Sequence, residues 1–491
     1  MKPATASRVR MQQAAECYQR GEMEAACAGF REALGLDPGN ADARNNLACA
    51  CRALGRTEEA IGHLQELLRA HPGHAEAWYN LGNALAAQAG AAPDWIAAAE
   101  SAYRRSLALQ PQSPGALFNL ANLLRENGRA AEALPLYVQT LRQKPRYAEA
   151  AANLGSALKS LGQHRQARVV TEQALAMDPN NDIYRFNLAL LQLLEGDFAA
   201  GWPNFEARLQ MPAFDFLRGW RLWQGEPLCG QTLVVLHEQG LGDTMQMLRF
   251  FAFLPQDGRI LLRLPPRLHR LAASLRGFDA LLSTEEAIPA AEYVCPLMSL
   301  PRIFGVAAER IPGRVPYLEA PAEARRKAER IDGACAGLRV GLCWSGNPGQ
   351  TDDRNRSIPL ERLTSLLEIP GVRWFSLQIG EAARQLEPFR GRVIDLAPET
   401  DDMADTAAQI ERLDLVLTVD TSVAHLAGAM GKPVWILLPF VPDWRWGLHR
   451  ADSPWYPSAR LFRQPRAGDW AAAVAAAGLE LHALTEKTHR A

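Results

Sequence analysis

The sequence predicts an α-helical repeat solenoid followed by an α/β region of two doubly wound halves facing a cleft. Three observations carry this expectation. Pro38, Pro72, Pro111, Pro145 and Pro179 recur at spacings of 34, 39, 34 and 34 residues, each closing a turn after a helical run. From Gln231 the texture changes to short β-branched runs separated by helical stretches. The segment Asp414 to Pro439 (DLVLTVDTSVAHLAGAMGKPVWILLP) reads as strand, tight turn, helix and strand, the unit of a parallel sheet.

Bulk properties bound the answer. A chain of 491 residues, 48% hydrophobic, is long enough for about three domains with real cores. A net charge of −1 provides no basic field for nucleic acid. The eight cysteines are scattered, and Cys49 and Cys51 stand only two apart without partner ligands nearby, so no zinc-type pairing is expected. Reduced, mostly buried thiols in a cytoplasmic protein are the expectation. The start (MKPATASRVRMQQAAECYQRG) has no apolar signal core, and no run of about 18 apolar residues predicts a membrane span.

A 34-residue period is the signature of the tetratricopeptide repeat, a helix–turn–helix unit. With each proline at repeat position 32, position 20 is Ala26, Ala60, Ala99, Ala133 and Ala167, where only a small side chain lets two helices approach. Position 24 is Phe30, Leu64, Tyr103, Tyr137 and Thr171, mostly large; position 8 is Ala14, Ala48, Gly82, Ala121, Gly155 and Ala189. A sixth unit from Asp182 keeps Leu188 and Phe205 in register, with Gly201 at the small position. The chain resembles a tetratricopeptide-repeat protein over residues 7–211. The five-residue excess of the third unit is expected as an insertion at Gln88 to Asp94.

Repeat position 6 is Asn46, Asn80, Asn119, Asn153 and Asn187. It lies on the first helix of each pair, on the side that lines the concave groove in such solenoids. An amide side chain offers a carbonyl and an NH₂, so a ladder of them fits an extended peptide backbone whatever its side chains. Duplication of one ancestral unit would also preserve the residue. The row resembles the asparagine ladder of nucleocytoplasmic O-GlcNAc transferases, which holds the protein substrate.

Trp202, Trp220 and Trp223 mark a packing joint or plain core where the repeat period stops. Residues 212–325 are expected to form one α/β half and 326–480 the other. Strands are expected at Thr232–His237, Arg259–Leu264, Tyr293–Cys295, Arg339–Trp344, Trp374–Gln378, Arg392–Asp395, Leu415–Val419 and Val434–Leu438. A helix start after Asp420-Thr421-Ser422 presents unpaired N–H groups and a positive dipole end, which suits a phosphate. His425, one turn further in, would reach the phosphate or the sugar, or else be a satisfied core histidine.

Three pieces in order carry a family likeness: the strand, GLGD loop and helix at 232–253, the strand and WSGNP loop at 339–348, and DTSVAHLAGAMGKP at 420–433. They resemble the GT-B glycosyltransferases of the heptosyltransferase type, family 9, over about residues 230–465, with two Rossmann-like domains facing a cleft. Ser422 departs from the pattern, which often has glycine there. With the repeats, the architecture is similar to O-GlcNAc transferase.

The resemblance implies a glycosyltransferase with Asp243 as base; the residues alone allow Asp243 to be a helix cap instead, with Glu238 and His237 in reserve. Arg354 or Arg356, with Thr421 and Ser422, would hold the donor phosphates, unless the arginines merely form a solvated basic loop. Asp420 would bind sugar hydroxyls or cap its helix. Trp444 and Trp446 would stack on the base or pack in the core. No convincing Asp-x-Asp motif points to a metal, and no cofactor is expected beyond the nucleotide sugar as substrate. The acceptor expected in the groove is a protein or peptide. The competing class is a non-catalytic repeat scaffold with a degenerate nucleotide-sugar-binding domain. The donor's identity stays open.

Overall fold

The computed structural model describes residues 3–88, 93–307, 310–332, 337–350 and 353–490. It divides into two compact units, Met1–Asn180 and Asn181–Ala491.

Among the described residues the first unit is ten helices in antiparallel pairs: α1 (Pro3–Gln19), α2 (Met23–Leu36), α3 (Ala41–Ala53), α4 (Thr57–Ala70), α5 (Ala75–Ala86), α6 (Pro93–Leu109), α7 (Pro114–Glu126), α8 (Ala130–Gln143), α9 (Ala148–Ser160) and α10 (His164–Met177). The turn inside four of the five pairs needs left-handed backbone, supplied by Gly21, Gly55, Gly128 and Gly162 at φ of 73–81°. The third pair carries the insertion instead, of which residues 89–92 lie outside the described residues. Between pairs, Asn40, His74 and Ser113 cap the next helix, accepting from the N–H of Ala43, Ala77 and Ala116.

The position-by-position pattern has a steric cause. The five alanines at position 20 are fully buried. A Cβ on Gly82 would lie 2.6 Å from the Tyr103 ring, and one on Gly155 would lie 2.4 Å from Thr171 Oγ1. Position 8 must therefore be small because position 24 of the same pair fills its space.

The second unit opens with helices Asp182–Glu195 and Phe198–Phe205, so the sixth repeat belongs to it. Gly201 lets them meet, since a Cβ there would fall 2.7 Å from Leu193 Cδ2. Among the described residues ten strands follow: β1 (Thr232–Leu236), β2 (Arg259–Leu264), β3 (Ala280–Ser283), β4 (Tyr293–Pro296), β5 (Leu338–Cys343), β6 (Val372–Ser376), β7 (Val393–Asp395), β8 (Leu415–Val419), β9 (Val434–Leu438) and β10 (Ala459–Arg463). They form two wholly parallel sheets, ordered β3-β2-β1-β4 and β10-β9-β8-β5-β6-β7. Strand order reverses beside β1 in one sheet and between β5 and β8 in the other, which puts the ligand positions at their carboxyl ends.

Several expectations shift. The helix expected after the GLGD loop, running to 253, is an α-helix at Leu241–Met247 that takes in part of the loop and tightens into a 3-10 turn at Leu248–Phe253. Strands β3 and β10 were not expected, and a long helix, Trp470–Arg490, closes the chain. Trp202 and Trp223 are buried core and Trp220 is half-buried; Trp202 meets Trp444 edge-on at 5.2 Å. Among the described residues no helix is long and apolar enough to cross a membrane.

Candidate functional site

Between the two sheets of the second unit lies a cleft of about 1270 Å³, lined by the loops after β1, β5, β6 and β8. Asp243, Arg356, Asp420, Thr421, Ser422 and His425 all line it. Arg354 does not: it is exposed on the short helix Asp353–Arg356 and outside the lining. Residues 351 and 352 of the basic loop lie outside the described residues.

The loop after β1 turns through Gln239, at φ 62°, into helix Leu241–Met247. The Gly240 N–H donates to Asp243 Oδ2 at 2.7 Å, so Asp243 does close the helix start as a cap. Its other oxygen, Oδ1, accepts from Arg445 Nη2. Gly242 is required by the crossing of this helix with Ser422–Ala429: a Cβ on it would fall 2.6 Å from His425 Cδ2.

Arg445 lies in the PFVPDWRW stretch after β9 and is the residue the sequence reading passed over. Its side chain is 6% exposed. Besides Asp243, it donates from Nε to Gln246 Oε1 and from Nη1 to Asp443 Oδ1, both at 2.7 Å, with Trp444 under its guanidinium at 4.2 Å. Burial opposes its charge, but Asp243 and Asp443 outweigh burial and hold the proton more tightly than usual. The flanking tryptophans drew the eye, yet Trp444 and Trp446 are core residues, 5% and 0% exposed. The usable signal was the Arg set between them and the Asp just before them.

On the opposite wall, helix Ser422–Ala429 starts at the mouth of β8, and its first N–H groups have no place in the helical ladder. Thr421 Oγ1 turns inward to Thr418 Oγ1 at 3.1 Å, while Ser422 and Val423 line the cleft. Arg356 pairs with Asp353 at 3.1 Å and overlies Gly346, where a Cβ would strike its Nη2 at 2.6 Å. Gln378 braces the β5 loop, accepting from Trp344 N and Ser345 N at 3.1 and 2.9 Å.

His425 is buried, hydrogen-bonded through Nδ1 to Tyr456 Oη at 2.9 Å and stacked on Trp446. Burial, helped by Arg445, pushes it down to about 3, so it is neutral near neutrality. Asp420 Oδ1 stands 3.8 Å from His425 Nε2. Burial and the nearby Asp443 carboxylate lift Asp420 to about 7. The reserve candidates are occupied elsewhere. Glu238 is buried against Arg208 at 2.7 Å and accepts from Met298 N, and His237 Nδ1 faces Thr244 Oγ1 at 2.6 Å; neither lines the cleft.

These two shifts act on stability with opposite signs. Asp420 holds an extra proton in the folded state between its unfolded value near 3.8 and about 7, so its contribution is lost as pH rises through that window. His425 lacks a proton in the folded state between about 3 and 6.5, so its contribution grows as pH rises. The slopes nearly cancel where the windows overlap. Denaturant unfolding of Asp420→Asn is expected to expose the histidine slope: relative to wild type, stability should climb more steeply from pH 4 to 6.5. A variant curve parallel to wild type would refute the assignment.

In the first unit Asn119 Nδ2 donates to Asn83 Oδ1 at 2.7 Å and Asn153 Nδ2 to Asn122 Oδ1 at 2.9 Å, while Asn80 Nδ2 donates to Asn45 Oδ1 at 3.0 Å. The position-6 row is thus stitched to a second set of asparagines in the preceding repeats. Asn46 is half-buried, and Asn187, in the other unit, is half-buried too.

Comparison with known proteins agrees with both regions. Residues 12–70, 45–114, 102–134 and 124–194 match tetratricopeptide-repeat models, and residues 378–442 match glycosyltransferase family 9 (heptosyltransferase). Protein FlbA of Caulobacter vibrioides is 25% identical over 403 residues, 75% of this chain and 67% of its own length. Cellulose synthase operon protein C of Pseudomonas fluorescens is 34% identical over 106 residues, 20% of this chain and 8% of its own. Among solved structures, the thermophilic repeat protein TTC0263 of Thermus thermophilus covers 38% of this chain and 99% of its own, at 20% identity and a TM-score of 0.33. YrrB, described as a TPR protein with an unusual peptide-binding site, covers 38% and 94% at 16% identity and a TM-score of 0.33. The N-terminal region is a tetratricopeptide-repeat array, and the C-terminal region carries a family 9 segment.

Proposed function

We propose that the repeat array presents a protein side chain to a GT-B glycosyltransferase, whose two parallel sheets bind a nucleotide-sugar donor in the cleft between them. The observation that carries this reading is the juxtaposition of the Ser422 helix start and the Asp243 loop across one cleft, with Arg445 reaching from one to the other. The family 9 match covers the phosphate-side helix.

The chemistry follows from the charges. A donor diphosphate would sit on the N–H groups at Ser422 and Val423, where the helix dipole favours an anion. Arg445 and Arg356 supply fixed positive charge for the leaving diphosphate, and no metal is assigned a part in this reading. Asp420, at the mouth of the same helix, takes sugar hydroxyls. The acceptor hydroxyl attacks the anomeric carbon, the bond to phosphate breaks, and Asp243 takes the acceptor's proton. His425, neutral and held by Tyr456, shapes the wall behind Asp420. The seven described cysteines are unpaired thiols, which fits action in the cytoplasm.

The test is transfer, or donor hydrolysis, across a panel of nucleotide sugars. Turnover with any of them supports the enzyme. Tight nucleotide binding with no turnover would support the scaffold instead, a reading favoured by one observation: both oxygens of Asp243 are already engaged.

The groove is tested separately. Asn153 spends one N–H on Asn122, and an amide has a second N–H and a carbonyl to offer a peptide. Asn119→Ala with Asn153→Ala is expected to raise KM for a protein acceptor roughly tenfold, from about two lost hydrogen bonds. Donor hydrolysis should be unchanged. Equal KM for the protein acceptor would remove the ladder from acceptor binding.

A further inference from the structure

The first two repeats hold a cluster unrelated to the cleft. Cys27 on α2 and Cys51 on α3 are fully buried, with their sulfurs 3.9 Å apart. Glu59 and His63 follow on α4 at a spacing of four, hence on one face, with His63 Nε2 3.7 Å from Glu59 Oε1. The ligand atoms of Cys51, Glu59 and His63 all lie within 4.8 Å of one another.

Plain core packing accounts for buried cysteines but not for an imidazole and a carboxylate converging on one of them. The distances do fit a metal. Two thiolates bound at about 2.3 Å to one tetrahedral ion are about 3.8 Å apart, and a nitrogen–oxygen edge at bonds of about 2.0–2.1 Å is shorter, about 3.4 Å. The cluster thus holds one edge at that length and another within a few tenths of an ångström. Cys27 reaches this group only through Cys51, so side-chain rotation would have to bring its sulfur and the Glu59 and His63 ligand atoms onto one centre. Arg31 now pairs with Glu59. Its side chain is 47% exposed and can swing into solvent, giving up a surface ion pair of small value.

We propose that Cys27, Cys51, Glu59 and His63 bind one zinc-class divalent ion, which clamps α2, α3 and α4 together. A borderline-soft ion suits two sulfurs, one imidazole nitrogen and one carboxylate oxygen. Binding replaces two S–H bonds by two metal–sulfur bonds and releases two protons to buffer; Glu59 binds as the carboxylate and His63 as the neutral ring. Because stability in a repeat array passes between neighbours, the clamp stabilises the beginning of the solenoid.

The test is Co²⁺ titration of the reduced full-length chain. One equivalent is expected to give thiolate-to-cobalt charge transfer and the visible bands of a tetrahedral site, and Zn²⁺ should displace it. Cys51→Ser should abolish the spectrum. His63→Ala, at a partly exposed position that leaves the core intact, should weaken binding at least about tenfold. Arg31→Ala should tighten it by freeing Glu59. Absence of the charge-transfer band, or a band indifferent to both Cys51→Ser and His63→Ala, would overturn the proposal.

Discussion

Arg445→Ala is expected to destabilise the α/β unit by about 3 kcal/mol, because it takes the guanidinium away from the carboxylates of Asp243 and Asp443 and from Gln246 Oε1. Removing one partner of a buried pair costs more than the pair itself is worth, since the remaining charge is left desolvated. Asp443 is 37% exposed and recovers some hydration, which keeps the figure at the low end of that range. Transfer should fall at least about a hundredfold, as the leaving diphosphate loses its buried cation. Arg445→Lys restores charge but not the fork that serves three acceptors at once, so it should fall between. Urea unfolding followed by tryptophan fluorescence reads the stability, with Trp444 directly beneath the guanidinium as reporter. A loss below about 0.5 kcal/mol would show that Asp243 and Asp443 do not depend on Arg445.

Asp243→Asn separates the two roles of that carboxylate. The amide keeps an oxygen to accept from Gly240 N–H but can no longer take a proton, and it turns an NH₂ or a neutral oxygen to Arg445. If Asp243 is the base, kcat should drop by about 10²–10⁴ while nucleotide affinity, by calorimetry, stays within a few-fold. If it only caps the helix, the change in rate should track a stability loss of about 1 kcal/mol and stay under tenfold. Assays well below the unfolding transition keep the two effects apart.

Much of this architecture was legible because the sequence repeats its constraints. The small–large exchange of Gly82 with Tyr103 and Gly155 with Thr171 is written into every pair, so a period of 34 recovers it. Strands β8 and β9 were legible because they are buried on both faces and read as unbroken apolar runs. The sheet edges were not. β3 has four residues, all half-buried, and β10 is an edge strand whose short apolar run is broken by Arg460 and Arg463. In the cleft, Asp243, Asp420 and Ser422 were legible because they stand where a strand gives way to a helix start. Arg445 was hidden because its meaning is tertiary: it acquires partners 202 and 199 residues earlier. The Cys51, Glu59 and His63 cluster was hidden for a similar reason, since α4 turns back beside α3 before bringing its side chains to Cys51.

The contact of Gly242 with His425 fixes where the cleft can hinge. With no Cβ between them the two helices touch, so any rocking of the sheets would pivot at this point rather than part it. A given rotation then moves the rim, at Arg267 and at Ile379 to Arg384, along a long lever arm, while the lever arm to Asp243 and Ser422 is short. On the proposed reading, substrates would enter and leave at the periphery while the spacing of Asp243 and Ser422 is kept.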